Sequence, residues 1–343
     1  MTEKEMILAG IDEAGLGPLL GPLVVGSSVF ELDTQRLADG KIPNFWTKLR
    51  NIVSKDKKSS DKIIITDSKK LHKPGKIVAL EETVLSVINA YNEIEGRLSI
   101  SDFLRCVCAD EDIARIQKQP WFEDLSIQLP LEASWDLCKH RGHRLAHTLT
   151  DSGISLKKIR VQVVTADLFN KLIDKYLNKS TAHWAVVASL IKDVFEIGVN
   201  STVVVDKQGG RDFYADMLRQ SLPRFKIRIH AEGKRLPNHS DTKSDENKER
   251  KLSDYFVEND VNSHKIAFAS QAEDYSLPVA LASCFAKYVR EILMYAFNRY
   301  YQKMHPGIKP TKGYYTDGRR FLDDLVKLGY PLEKYRDFLV RKR

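Results

Sequence analysis

The chain has 343 residues, 43% of them hydrophobic, enough to bury one large core with insertions. Its 54 basic and 46 acidic residues leave a net charge of +8, which favours an anionic partner. No apolar stretch approaches the ~20 residues of a membrane-spanning helix, the start is charged, and four cysteines do not make a disulfide framework in a chain this long. The expectation is a cytoplasmic protein with free thiols and no membrane partner.

In chain order, the apolar run 6–11 predicts a first strand, which ends on Asp12 and Glu13 before the small-residue turn Ala14-Gly15-Leu16-Gly17-Pro18. Adjacent carboxylates at a buried strand end repel each other and cost desolvation energy, and a divalent cation is the common remedy; a strand ending in a solvated turn is the simpler reading. Residues 22–30 predict a second strand, joined to the first as a hairpin. Residues 41–76 contain eleven Lys or Arg against three Asp, an excess as large as the whole chain's. This stretch is either a phosphate-contacting face or a solvated lysine-rich loop.

Ile77, Leu80, Val84, Leu85 and Ile88 recur at helical spacing and predict a helix over 74–91. Cys106, Cys108, Cys138, His140 and His143 offer soft ligands, but their spacing fits no zinc finger, and buried thiols with surface histidines are the preferred reading. Residues 160–164 predict a strand, 182–197 a helix stopped by Gly198, and 201–205 a strand closed by Asp206. Strands follow at 225–229 and 265–269, the second leading to Glu273, and an amphipathic helix runs from Pro278 to about Gln302. The stretch 235–251 is charged and aperiodic and predicts a flexible loop. Strands interleaved with helices, opened by a hairpin, give an α/β class with a mixed sheet flanked by helices.

The string Gly10-Ile11-Asp12-Glu13-Ala14-Gly15-Leu16-Gly17-Pro18 resembles the first motif of the type 2 ribonucleases H, called HII and HIII. Further segments resemble that family in its own order: Asp67-Ser68-Lys69-Lys70-Leu71, the strand ending at Asp206, Ala272-Glu273 before the small-residue run 279–287, and Lys312-Gly313-Tyr314-Tyr315-Thr316. The resemblance implies a single ribonuclease H-like domain over 1–343, with insertions at about 34–60 and 97–157 and a helical C-terminal part. Asp12, Glu13, Asp206 and Glu273 would be catalytic and would bind two Mg²⁺ or Mn²⁺ ions, with Asp274 as the less favoured fourth acid. Gly15, Leu16, Gly17, Ser68, Lys69, Lys70, Lys287, Lys312 and Tyr314 would bind substrate. The implied activity is endonucleolytic cleavage of RNA in RNA–DNA hybrids, or at ribonucleotides embedded in duplex DNA, by a monomer leaving 5′-phosphate and 3′-hydroxyl ends.

Departures from the pattern keep two alternatives in view, a nuclease for DNA or branched structures on the same site and a non-catalytic nucleic-acid-binding protein. Leu16 stands where the family carries a basic residue or threonine, and Lys207 after the third acid offers a charge in return. Asp12 and Asp206 lie 194 residues apart, about twice the family's spacing. In the larger insertion Trp121, Phe122, Trp135, Arg141 and Arg144 suit either core packing or a grip on nucleic acid, packing being the commoner use.

Overall fold

The computed structural model describes residues 5–36, 42–71, 76–92, 94–236 and 250–342. β1 (Glu5–Ala14) and β2 (Leu23–Asp33) form the expected hairpin, antiparallel from Glu5↔Asp33 to Ala14↔Val24. Within the basic stretch, β3 (Val53–Ser54) and β4 (Ile63–Ile64) make a separate parallel pair. β5 (Ile154–Val164), β6 (Asn200–Asp206), β7 (Lys226–Leu236), β8 (Arg250–Glu258) and β9 (Ser263–Ala269) complete a seven-stranded sheet of order β5-β2-β1-β6-β9-β8-β7. Its centre, β1, β6 and β9, is parallel and its flanks are antiparallel. The class is therefore the mixed α/β sheet flanked by helices that the sequence predicts. In such sheets sites gather beyond the carboxyl ends of the parallel strands, and Asp12, Glu13 and Asp206 all stand there.

Strand alternation divides the core in two. Ile7, Ala9 and Ile11 join Val203 and Val205 on the face covered by the helix Lys179–Phe195. Leu8 and Val24 belong to the opposite core, against the helix Leu277–Met304. That helix begins with Ser276 as its cap and Pro278 in its first turn, both favoured there. Its opening turns are lined with Ala280, Ala282, Ser283 and Ala286, all buried, which lets the sheet come close. A side chain at Gly10 would meet the Val279 nitrogen at 2.1 Å, and one at Gly26 would meet the Ala282 oxygen at 2.5 Å. Gly10→Ala is expected to destabilise the protein by about 3 kcal/mol or more, because backbone rather than a flexible side chain would have to move; urea unfolding of the variant checks this.

The insertion 97–157 supplies the helices Ile100–Val107, Asp110–Gln117 and Trp135–Asp151. Its aromatic residues pack. Trp121 stacks on Tyr301 and meets Phe297 edge-on, with Phe122 and Trp135 also buried. Arg141 is buried against Glu82 at 2.9 Å, so these four residues make core, whereas Arg144 is exposed. The insertion is fastened through Glu81, whose carboxylate accepts the N–H groups of Leu131, Glu132 and Ala133 at 2.6–3.0 Å and the Tyr288 hydroxyl at 2.9 Å. Several donors on one buried carboxylate offset its desolvation.

Three boundaries differ from expectation. The helix over 74–91 starts at Val78, and residues 72–75 lie outside those described. β5 begins at Ile154, six residues early, because its outer half is half-exposed and carries Lys157 and Lys158 instead of an apolar alternation. Of the predicted loop 235–251, residues 237–249 lie outside those described, but its ends pair as strand, Arg235↔Lys251 and Leu236↔Arg250. Charged edge strands of this kind carry little hydrophobic pattern to read, and their charge discourages pairing with other chains.

Candidate active site

Asp12 and Glu13 close β1 on opposite faces of the sheet. Asp12 is buried on the side of the helix Leu277–Met304, where the Ser283 hydroxyl holds its proton affinity down. Glu13 turns to the other face, with its Oε2 3.7 Å from His183 Nε2. Asp206 ends β6 beside them, since Val205 pairs with Ile11, and it accepts the Ala272 N–H at 3.1 Å. Glu273 follows β9 in a short 3-10 turn, Ala272–Asp274, entered through Gln271 at φ 55°. Only Glu273 of the two neighbouring acids is buried, whereas Asp274 faces out and pairs with Lys70 at 2.7 Å. This favours Glu273 over Asp274 as the fourth acid.

Burial raises the proton affinity of all four carboxylates, and the charge of Asp206 adds to it at the other three. Burial, then Glu13 and Asp206, push Asp12 well above the usual carboxylate range. Burial and then Asp206 push both Glu13 and Glu273 up to about 7. Asp206 is raised by burial, while the Ala272 N–H and Lys69 hold it down. Lys69 is the cation facing this cluster: burial lowers its proton affinity, but Asp67, Asp12, Glu273 and Asp206 together raise it. His183, missed in the sequence, is pushed down to about 4 by burial and then by Arg211 and Lys179, so at neutral pH it stands neutral beside Glu13.

Among the described residues, no three His, Cys, Asp or Glu side chains stand close enough together to share an ion. This includes Cys106, Cys108, Cys138, His140 and His143; Cys138 is buried in the core, and burial pushes its thiol up to about 12. The acid cluster nonetheless fits a divalent cation in its chemistry. It is a set of hard oxygen donors around which like charge accumulates, and Glu273 Oε2 is buried without a hydrogen-bond partner.

Beside the acids lies a ledge built from two loops. Gly15 adopts φ +84°, Gly17 is exposed, and Gly313, at φ +80°, accepts the Leu19 and Leu20 N–H groups at 2.7 and 3.1 Å. Tyr314 is 53% exposed on this ledge, and Lys312 is exposed next to it. Leu16 is half-buried against the core on the Glu13 side of the sheet, which accounts for an apolar residue there. Other predicted contacts are occupied internally. Ser68 is buried with its hydroxyl 2.9 Å from that of Ser283, Lys287 pairs with Glu291 at 2.7 Å, and Lys70 pairs with Asp274. Lys207 does not return charge to the groove, because its ammonium is held by Asp212.

A ribonuclease HII of Aliarcobacter butzleri (strain RM4018) is 26% identical to the chain over 153 residues, 40% of this chain and 78% of that protein. No protein-family model matches. Among solved structures, the RNase HII of the PCNA:RNase HII complex from Archaeoglobus fulgidus is 15% identical, with a TM-score of 0.44 over 98% of this chain and 94% of that one. The Pyrococcus horikoshii OT3 ribonuclease H2 is 16% identical, with a TM-score of 0.38 over 97% of this chain and 92% of that one.

The ordered motifs, the mixed sheet and the acids gathered at its carboxyl edge define a ribonuclease H-like nuclease. Within that class the chain is similar, over 153 residues, to a ribonuclease HII, one of the type 2 ribonucleases H.

Proposed function

We propose that the protein cleaves phosphodiester bonds at ribonucleotides, in RNA–DNA hybrids or embedded singly in duplex DNA. The observation that carries this reading is the convergence of Asp12, Glu13, Asp206 and Glu273, drawn from three separate strand ends onto one buried cluster. The relative from Aliarcobacter butzleri, a ribonuclease HII, supports it. Mg²⁺ or Mn²⁺ held by these four residues would supply Lewis acidity to the scissile phosphate and a more acidic water as nucleophile.

The chain's own groups do the rest. The cluster's negative charge keeps the site selective for an electrophilic phosphate only when cations balance it, and Lys69 contributes one such charge. Gly17 leaves open space at the ledge, where nothing stands within 4 Å of a side-chain position, so a nucleic-acid backbone can approach. Tyr314 offers an exposed ring for a sugar or base. The test is cleavage of matched all-DNA, all-RNA, hybrid and single-ribonucleotide duplexes with Mg²⁺ or Mn²⁺. Cutting confined to the ribonucleotide-containing duplexes is expected, and preference for all-DNA would transfer the site to the alternative nuclease reading.

The basic stretch 41–76 lies against this site. Lys55 donates to the Asp274 carbonyl, Lys57 to the Lys70 carbonyl, and Lys70 to the Asp274 carboxylate. Part of its charge is therefore committed to holding the Glu273 turn. Neutralising Lys57, Lys58, Lys62 and Lys69 together is expected to flatten the slope of log affinity against log salt by about 0.9 for each phosphate that these lysines cease to neutralise. Titration of duplex binding across salt concentrations reads this slope, and an unchanged value would make the stretch a solvated loop.

A further inference from the structure

Leu16 removes a cation from the surface of the substrate ledge, yet the structure puts two beneath it. Arg341, 3% exposed, donates from Nη1 to the Gly15 carbonyl and from Nη2 to the Leu16 carbonyl, both at 2.6 Å. Its backbone N–H donates to the Leu19 carbonyl at 3.0 Å, Val340 bridges to Leu20, and the guanidinium lies 4.5 Å over the Phe169 ring. Arg290, 1% exposed, packs beneath Gly15, where any side chain would meet its Nε at 2.4 Å, and donates to the Lys312 carbonyl at 2.9 Å. Its nearest acid is Glu291 at 3.8 Å, which Lys287 already engages at 2.7 Å. A buried cation held by carbonyls rather than by a carboxylate keeps its positive potential and projects it through the loop it grips.

The hydrogen bonds also fix which way the loop faces. A trans peptide points its C=O and the following N–H in opposite directions. With the Gly15 and Leu16 carbonyls turned down onto Arg341, the N–H groups of Leu16 and Gly17 turn away from it. Among the described residues neither of these donors reaches a backbone acceptor in the turns and loops. Gly17 is exposed, with open space where a side chain would stand.

We propose that Arg341 is the positioning residue of the substrate loop, aiming the Leu16 and Gly17 N–H groups at a ribose 2′-hydroxyl and thereby preserving ribose selectivity without a basic side chain at position 16. This deepens the functional reading above and rests on it. Arg341 touches no substrate itself. It acts through the carbonyls of residues 15 and 16, and the segment that carries it is tied down by Asn170, which accepts the Lys342 N–H at 2.7 Å and donates to the Val340 carbonyl at 2.9 Å.

The experiment compares wild type, Arg341→Lys and Arg341→Met on a single-ribonucleotide duplex and on all-DNA duplex, with thermal unfolding of each protein. Arg341→Met is expected to raise KM for the ribonucleotide duplex roughly tenfold, with a smaller change in kcat, and to lower the ribonucleotide-to-DNA ratio of kcat/KM by a similar factor. Arg341→Lys keeps the charge but can satisfy one carbonyl well, and should fall between the two. If Arg341→Met does not fold, the lysine variant decides alone, a reduced ratio supporting the proposal and a wild-type ratio overturning it. Folded variants that keep the wild-type ratio and KM overturn it while leaving the functional reading intact. A wild type with no preference for ribonucleotides overturns both.

Discussion

Asp206→Asn is expected to reduce cleavage by a thousandfold or more, about 4 kcal/mol of barrier, while leaving duplex binding nearly unchanged. Asp206 is the acid that every other member of the cluster feels: its charge raises Asp12, Glu13 and Glu273 alike. Asparagine keeps the size and can still accept the Ala272 N–H, so β6 and the Glu273 turn should stay in place. What would be lost is one anionic side chain from the cluster proposed to bind the cations. Because that charge is also a burden on the metal-free fold, the variant should melt higher than wild type in EDTA, by roughly 2–5 °C. Single-turnover cleavage, binding in EDTA and thermal unfolding read the three effects. A wild-type rate would remove Asp206 from the site.

Raising the pH from about 5 to about 8 should destabilise the metal-free protein, and Mg²⁺ or Mn²⁺ should restore what is lost. Burial, with Asp206 next, pushes Glu13 and Glu273 from 4.5 up to about 7. An acid whose folded pKa is raised binds protons more tightly in the native state than when unfolded. Its stabilising contribution is complete below about 4.5 and disappears as the pH rises through about 7. A cation binding the ionised acids acts in the opposite direction and competes with those protons, so its stabilisation should grow over the same window. At a hundred times its dissociation constant it adds about 2.7 kcal/mol. Melting curves at several pH values, with EDTA or with each ion, test the sign directly. Equal metal-free stability at pH 5.5 and 8, with no shift on adding either ion, would contradict the reading of the cluster.

The sheet's buried centre was legible because its strands carry their own punctuation. The run at 6–11 and the valines 203–205 are apolar and lead to acids, and the hairpin turn is marked by Gly and Pro. β8 was not legible, because it alternates little and one end of it lies in a charged stretch. In the site, adjacency hid the geometry. Asp12 and Glu13 are neighbours in sequence but face opposite sides of the sheet, and Glu273 is separated from Asp274 by burial alone. Ser68 and Lys287 matched a family pattern yet spend their polar atoms inside the protein. His183 and Arg341 carry no local signal at all. Their meaning comes from packing against Glu13 and the 15–17 loop across more than 150 and 300 residues of chain, and only the folded structure brings them there.

The most direct measurement is to map the ends produced from a DNA duplex carrying one internal ribonucleotide, incubated with Mn²⁺ and with EDTA. Water attack at a phosphate engaged by divalent ions that the four acids would hold predicts a single cut next to the ribonucleotide, leaving 5′-phosphate and 3′-hydroxyl ends, and no cut in EDTA. A 2′,3′-cyclic phosphate would mean that the ribose hydroxyl rather than water is the nucleophile, cleavage that persists in EDTA would mean that no divalent ion is needed, and either would contradict the assignment of Asp12, Glu13, Asp206 and Glu273.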